Sequence, residues 1–333
     1  MNILVCGGAG FIGSTFIRNH LKNNLDSKIL NLDILTIGSN LKNLKKIENK
    51  SNYKFIKEDI KNENEISNLV KNVDLVINFA AESHVDRSIK NPKPFVDTNI
   101  IGTYSILEAI RKYDKQFIHV STDEIYGDAQ GKSSFSEDSQ INPSNPYAAT
   151  KAAADHLVAS YYKTYGINCI TTRCTNNFGP YQFPEKLIPK TIIRSIKNLK
   201  VPLYGDGMQI RSWIYVDDHT NAIESLILKG KSGQVYNITA YEEITNKKII
   251  EKILNFIGKS NETIEFVEDR PGHDKRYSID CSKIENQIQW KPQYEFDDVL
   301  KQTILWYQQN ESWWEPLINE NILHPQPWTI SWK

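Results

Sequence analysis

The chain has 333 residues, more than a typical single domain, which predicts one large domain or two with room for a sizeable core. Forty Lys and Arg residues balance forty Asp and Glu residues. This balance excludes the one-signed face by which proteins hold nucleic acid or a membrane surface, so neither is expected as a partner. No apolar run reaches the length of a membrane span, and the opening MNILVCGGAG reads as a strand and turn rather than a charged leader. The four cysteines, Cys6, Cys169, Cys174 and Cys281, form no CxxC pair. They predict reduced thiols in a cytoplasmic protein and no zinc site.

Taken in chain order, NILVCG, KILNLD, YKFIKED, LVINFAA and FIHVST read as strands. Between them, FIGSTFIRNHLKNN and IIGTYSILEAIRKY carry apolar residues at helical spacing. Such alternation predicts a parallel sheet covered on both faces, with ligands bound beyond the carboxyl ends of its strands. The second half is less regular. NNFGPYQFPEKLIP, VPLYGDGMQIRSW and DRPGHDKRY read as loops and short elements closing over the sheet, while KKIIEKILNFIG and DDVLKQTILWYQQN read as amphipathic helices.

The first chemical signal is GGAGFIG, in which Gly8, Gly10 and Gly13 have G-x-G-x-x-G spacing and Gly7 extends it. A strand precedes it and a helix follows. Glycines there let the backbone approach a pyrophosphate, which then lies at the positive end of the helix. Asp33 closes the second strand about twenty residues later, where a carboxylate accepts from ribose hydroxyls. It would repel a 2′-phosphate, so NAD is expected rather than NADP. Asp59 and Ile60 end the third strand and are placed to border an adenine. Ala80 and Ala81 end the fourth and are small enough for a flat cofactor to lie close.

Next, STDEIYG sets Asp123 beside Glu124 at the end of the fifth strand. Crowded carboxylates ionise unequally, so one keeps a proton near neutral pH and the site holds both an acid and a base. About 25 residues past that strand-end Ser-Thr, NPYAATKAAADHL places Tyr147 and Lys151 on one helix face, with Pro146 in the first turn. A nearby lysine is expected to lower the phenol from its usual ~10. Such a tyrosine can take a hydroxyl proton while hydride leaves the same carbon.

Together, GGAGFIG, AAESHVDRS, STDEIYGD, YAATK, NNFGPYQFPEKLIP, LYGDG with the later R.W.YVDDH, and DRPGHDKRY resemble the extended short-chain dehydrogenases that act on nucleotide sugars. The resemblance is to their 4,6-dehydratase branch and runs from Asn2 to about Trp290. It implies an α/β fold: a Rossmann-type doubly wound parallel sheet with a smaller, interleaved C-terminal substrate domain. The NAD-binding domain would span 1–175, with segments near 209–237 returning to it, and 176–333 would mainly bind the nucleotide sugar. By the same resemblance, Tyr147 deprotonates the hydroxyl on sugar carbon 4, which Thr122 also contacts. Glu124 then removes the carbon 5 proton, Asp123 protonates the departing oxygen on carbon 6, and hydride returns to carbon 6. Phe11, Ile12, Ile34, Leu35, Thr36, Ser83, Thr98 and Asn177 join the NAD site, along with Tyr147 and Lys151. Ser83, Thr122, Asn176, Lys186, Leu187, Pro202, Tyr204, Arg211, Asn246, Asp269, Arg270, His273 and Tyr277 join the substrate site. No metal is implied, and His84 and Asp86 are expected to be structural, in the loop beside the nicotinamide.

The expected substrate is dTDP-glucose, with UDP-glucose as the alternative. A nucleotide-sugar 4-epimerase is a further rival, but epimerases typically carry small or hydroxyl residues where Asp123 and Glu124 stand. An NAD-binding protein without catalysis usually loses the Tyr or the Lys. The resemblance also implies a homodimer that pairs the helix near 99–113 with the helix holding Lys151. Departures from the family pattern are Cys6 for a usual threonine, YAATK for the commoner Y-S-A-S/T-K, Ser212 for the usual Asp after Arg211, and NITAYEE for a glycine-rich stretch. Ser212 is expected to loosen Arg211.

Overall fold

The computed structural model describes residues 1–129, 131 and 133–332. Strands β1 (Asn2–Cys6), β2 (Lys28–Leu32), β3 (Tyr53–Ile56), β4 (Leu75–Asn78), β5 (Gln116–Thr122), β6 (Cys169–Cys174) and β10 (Val235–Ile238) form one parallel sheet. Its order is β10-β6-β5-β4-β1-β2-β3. Because the strands are parallel, their carboxyl ends share one edge. There the chain leaves β1 into the glycine turn, β2 into Asp33, β4 into Ala80 and Ala81, and β5 into Asp123 and Glu124.

The side-chain alternation explains why both faces are covered. Ile3 and Val5 enter one buried cluster with Ile77 and Ile118, while Leu4 and Cys6 enter another with Val76 and Phe117. Each strand thus feeds two cores, which requires a continuous apolar run rather than an alternating one. Helix α1 (Phe11–Asn23) covers one face, and α2 (Glu63–Val70) packs on α5 (Thr103–Tyr113) over the other. Two short helices precede α5, α3 (Val85–Lys90) and α4 (Lys93–Phe95), and a π-helical stretch spans Val96–Gly102. That widened turn carries Thr98 and Asn99. Asn99 donates to Thr150 on α6 (Pro146–Tyr165) and to the Glu82 carbonyl, tying both to the sheet edge.

The second half is more ordered than its sequence suggests. The stretch NNFGPYQFPEKLIP contains β7 (Asn176–Phe178) and opens α7 (Leu187–Ile196). VPLYGDGMQIRSW contains β8 (Val201–Tyr204) and most of β9 (Ile210–Tyr215), and YVDDH opens α8 (Val216–Lys229), which packs on α1. These strands are too short to show a period of their own, and their partners lie far along the chain. β9 pairs with β7 and with β11 (Glu243–Thr245), and β8 pairs with β12 (Ile264–Val267). The two expected amphipathic helices are α9 (Asn246–Ile257) and α11 (Phe296–Gln309). Both pack on α7 in a third core with Phe178, Trp213, Trp313 and Trp314. Helices α10 (Ser282–Ile288) and α12 (Glu311–Trp314) complete the set. Among the described residues no helix is long and apolar enough to cross a membrane, and the four cysteines are buried and unpaired.

Candidate active site

A cavity of about 470 Å³ opens along the carboxyl edge of the large sheet. Gly7, Gly10, Phe11, Ile12, Gly13, Asp33, Ile34, Thr36, Asp59, Ile60, Ala80, Ala81, Ser83, Thr98, Tyr147, Lys151 and Asn177 all line it. Leu35 does not; its backbone, at φ +63°, instead donates its N–H to Asp33. Gly7 has φ +76°, and a Cβ there would lie 2.5 Å from the Ala80 nitrogen, so only glycine lets β1 and β4 end so close together. A Cβ on Gly13 would lie 2.5 Å from the Gly7 carbonyl oxygen, whereas Gly10 leaves the α1 N-terminus open to the cavity. Asp33 is buried, and burial raises its pKa. Its oxygens accept from Ala9 N (3.0 Å), Leu35 N (2.8 Å) and Ser39 Oγ (2.9 Å). A carboxylate offers about four acceptor positions, so one remains for a ribose hydroxyl. The bare glycine turn, the helix end and the spare carboxylate position fit a dinucleotide.

The acid pair begins a short 3₁₀ turn, Asp123–Tyr126, capped by Thr122, whose Oγ1 accepts from Glu124 N. Thr122 also donates to Asp123 Oδ1 at 3.2 Å. Asp123 is buried and its Oδ2 has no partner. Burial, reinforced by Glu124, pushes the Asp123 carboxyl up to about 8, against the pull of Arg211 and Thr122. Glu124 is less buried and lines both this cavity and a second one. One acid that holds its proton at neutral pH therefore stands beside a second carboxyl.

Tyr147 and Lys151 lie near the start of α6, capped by Asn145 and entered through Pro146. Here the expectation of a lowered phenol is overturned. Burial raises the Tyr147 pKa well above 10, and Glu124 and Cys174 add to it. Lys151 does not bond the phenol; its Nζ donates to the Val120 carbonyl at 2.8 Å. Burial also brings Lys151 down to about 8, despite nearby Asp155. Only the hydrogen bond to Thr122 favours the phenolate. The pair is thus poised by position, and a cationic ring beside it would supply the missing stabilisation of phenolate.

The second cavity, about 160 Å³, adjoins the first and is lined by Ser83, Asn176, Lys186, Leu187, Pro202, Tyr204, Arg211, Asn246, Arg270, His273 and Tyr277. Of the expected substrate residues, Thr122 lines only the first cavity. Asp269 lines neither, and instead holds His273 Nδ1 at 2.6 Å and Gln209 Nε2 at 3.0 Å. Ser212 does not loosen Arg211. The guanidinium is buried, donates to the Ile210 and Asp274 carbonyls, and lies 4.1 Å over the Tyr277 ring. Asn176 Oδ1 is buried and unpartnered, so it is a free acceptor between the cavities.

Several residues here escaped sequence reasoning. Asp86 is no mere loop residue beside a nicotinamide: it lines the second cavity, meets Arg270 Nη1 at 2.8 Å and accepts from the Tyr204 hydroxyl at 3.0 Å. Burial opposes its charge, but Arg270 overcomes this and holds the carboxyl well below the usual range. Lys190, one turn after Lys186 on α7, is a second lysine in the cavity wall, brought down to about 8 by burial. Arg87 bridges Glu185 (3.1 Å) and Glu82 (3.3 Å) at the seam between the cavities. The sequence signal for Asp86 and Arg87 was their place within AAESHVDRS, while Lys190 falls one residue past NNFGPYQFPEKLIP. Among the described residues no group of three His, Cys, Asp or Glu side chains is placed to hold a metal ion.

A glycine-lined dinucleotide cavity, a Tyr–Lys pair and an adjoining cationic cavity define a short-chain dehydrogenase built for a phosphorylated sugar ligand. Comparison with known proteins agrees. The family profile described as GDP-mannose 4,6 dehydratase matches residues 4–303. The dTDP-glucose 4,6-dehydratase of Escherichia coli is 43% identical, over 96% of this chain and 97% of the relative. The crystal structure of dTDP-glucose 4,6-dehydratase from Bacillus anthracis in complex with NAD superposes with a TM-score of 0.90 at 44% identity, covering 96% of this chain and all of that one. The Streptomyces venezuelae enzyme with NAD and TYD bound gives 0.93 at 40% identity, with the same coverage. The chain belongs to the GDP-mannose 4,6 dehydratase family and, within it, to the dTDP-glucose 4,6-dehydratases.

Proposed function

We propose that the protein converts dTDP-glucose to dTDP-4-keto-6-deoxyglucose and water. The observation that carries this reading is Asp123, a buried carboxyl pushed up to about 8 with one oxygen free, beside Glu124 at the junction of the two cavities. Oxidation alone needs no such pair, and neither does epimerisation; elimination needs both an acid and a base.

NAD, when bound, accepts the hydride of sugar carbon 4 and gives it back at carbon 6. Gly7, Gly10, Gly13 and Asp33 would hold it, together with Asp59, Ile60, Ala80, Ala81, Ser83 and Thr98 on the walls of the same cavity. Tyr147 takes the carbon 4 hydroxyl proton at its phenolic oxygen, steadied by the hydrogen bond to Thr122, while Lys151 holds the Val120 carbonyl at the end of β5. The new ketone acidifies carbon 5, and Glu124 takes that proton. Asp123 gives its own proton to the departing oxygen on carbon 6, so water leaves and Asp123 becomes a carboxylate. Each such transfer is typically worth ~10²–10⁴ in rate. Return of a solvent-derived proton to carbon 5 completes the reaction. Lys186, Lys190 and Arg211 neutralise the diphosphate, for which a planar guanidinium is well shaped. Arg270, His273, Asn246, Pro202 and Tyr204 wall the nucleotide.

The test is to incubate the purified protein with dTDP-glucose or UDP-glucose, adding no NAD, and read the alkali-developed absorbance of a 4-keto sugar plus loss of water by mass spectrometry. Product from dTDP-glucose alone supports the assignment. Preference for UDP-glucose would change the nucleotide, and intact sugar in both, even with NAD supplied, would sink the elimination. We further propose a cytoplasmic homodimer joined through the helix near 99–113 and α6, where Ile101, Tyr104, Tyr162 and Tyr165 are exposed. Sedimentation at monomer mass would refute that dimer. Residues 1–175, with segments near 209–237 returning to them, are assigned as the NAD-binding domain and 176–333 mainly as the sugar-nucleotide domain, a division that limited proteolysis would check.

A further inference from the structure

The elimination leaves a proton on Glu124, and carbon 5 later receives one from solvent. A sugar in the cavity covers the open side of Glu124, so exchange with water needs a route behind it. Such a route is present. The Tyr277 hydroxyl lies 3.4 Å from Glu124 Oε2 and 2.7 Å from Asp274 Oδ2. On the far side of that carboxyl, Ser144 Oγ donates to Oδ1 at 2.6 Å. Tyr277 is 2% exposed, Asp274 7%, and Ser144 is open to solvent. The chain of groups therefore runs from the partly buried base to the surface in three links, a long one of 3.4 Å at Glu124 and two short ones of 2.7 and 2.6 Å beyond it.

Its parts are held in place. Arg211 covers the Tyr277 ring and takes the Asp274 carbonyl at 2.9 Å. Gly272, at φ +65°, brings the loop so close to Ser144 that a Cβ would lie 2.8 Å from the Ser144 carbonyl oxygen. Positioning Arg211 uses only the Asp274 backbone carbonyl; neither the Asp274 carboxyl nor the Ser144 hydroxyl has a part in carbon 4 oxidation.

We propose that Glu124, Tyr277, Asp274 and Ser144 form a proton relay that exchanges the base's proton with bulk water between elimination and reprotonation of carbon 5. The proposal rests on the dehydratase reading. Protonated Glu124 gives its proton to Tyr277 Oη as Tyr277 passes its own to Asp274 Oδ2. The neutral Asp274 carboxyl then turns over and releases that proton through Ser144 Oγ, whose own proton goes to water. A solvent proton returns by the reverse steps. One proton leaves and one enters, each oxygen regains its starting state, and no electrons move.

The experiment is turnover of unlabelled dTDP-glucose in D₂O, with deuterium at carbon 5 read by NMR. A second substrate, deuterated at carbon 4, reports arrival of that label at carbon 6, a step the relay does not touch. Wild-type product should carry deuterium at carbon 5. In Tyr277→Phe, the fraction retaining the original proton should rise by roughly tenfold, as expected when one proton-transfer partner is lost. Ser144→Ala should move it in the same direction by less, with transfer of label to carbon 6 unchanged in that variant. Ser144 is at the surface, so its variant keeps the test alive if Tyr277→Phe does not fold. Wild-type labelling at carbon 5 in Ser144→Ala and in any folded Tyr277→Phe would overturn the relay, as would wild-type product without deuterium there. Wild-type enzyme that releases no water from any sugar would instead overturn the dehydratase reading.

Discussion

The two cavities are built by opposite means. The cofactor cavity is mostly backbone: consecutive strand ends, a glycine turn and one helix terminus, with Asp33 as its main charged fixture. The sugar-nucleotide cavity is mostly side chains brought from 84–86, 186–190, 202–211 and 270–277, many of them charged and buried. The difference teaches where each is vulnerable. The first fails when space is filled. The second fails when a charge loses its partner, because an unpaired buried ion costs far more than a well-matched pair contributes. The acid pair sits at the seam and belongs wholly to neither.

The largest effect is expected at that seam. Glu124→Gln should lower kcat by about 10²–10⁴ while leaving bound NAD and thermal stability near wild type. Steady-state rates with cofactor content by absorbance would check this, and loss of NAD in the variant would make Glu124 part of the cofactor cavity instead. Second comes Arg270→Met, which strands Asp86. A broken buried pair costs on the order of 3–5 kcal/mol, so thermal unfolding should shift down sharply. The double variant Asp86→Leu with Arg270→Met should recover most of that loss. If the single variant is as stable as wild type, the pair is not the keystone described above. Third, Gly7→Ala should cost about 1–3 kcal/mol in backbone strain and also empty the NAD cavity, since the added methyl meets the Ala80 nitrogen at 2.5 Å. Full NAD content in that variant would contradict the close approach of β1 and β4.

Proton binding sharpens the comparison further. Asp123 must be protonated to release water, so kcat should fall as pH rises through about 8. Its effect on stability has a defined sign. The folded carboxyl binds its proton up to about 8, whereas an unfolded aspartate lets go near ~3.9, so folding weakens as pH climbs between those values. Asp123→Asn should therefore be more stable than wild type at pH 7 to 8, with the gap closing toward pH 4. Equal melting curves at every pH would mean that the buried oxygen is solvated.

How much of this was legible in the sequence follows the same division. The cofactor cavity was readable because its glycines, its open helix N-terminus and its small strand-end residues are neighbours in the chain. Leu35 was the exception, because the turn after Asp33 swings its backbone, not its side chain, to the carboxylate. The order of the second half was unreadable from periodicity, since β7, β8 and β9 find partners dozens of residues away. The lowered Tyr147 phenol was a fair inference from spacing, but Lys151 reaches the Val120 carbonyl instead, and spacing alone says nothing of the carboxyls opposite. Asp86 and Lys190 were hidden for a related reason: a buried charge is recognised by its partner, and Arg270 stands 184 positions from Asp86.

The smallest effect tests whether the C-terminal segment belongs to the second cavity or merely covers it. Beyond the helix ending at Gln309 no single residue was expected at the site, yet the Trp332 ring lies 5.7 Å from the Arg87 guanidinium and 6.4 Å from the His84 ring. Trp328 meets Tyr204 edge-on at 4.7 Å, and Lys190 donates to the His324 carbonyl. These contacts all reach residues that wall the sugar-nucleotide cavity or its seam; none reaches the glycine turn. A cation–π contact at such a site contributes about 0.5–1 kcal/mol. Trp332→Ala should therefore lower Tm by only about 1–3 °C and raise KM for the nucleotide sugar a few-fold, with NAD content and kcat unchanged. If KM stays fixed while Tm falls, the segment is a cover. If KM rises as expected, the outer wall of the second cavity is completed by His324, Trp328 and Trp332, more than 300 residues along the chain from the glycine turn.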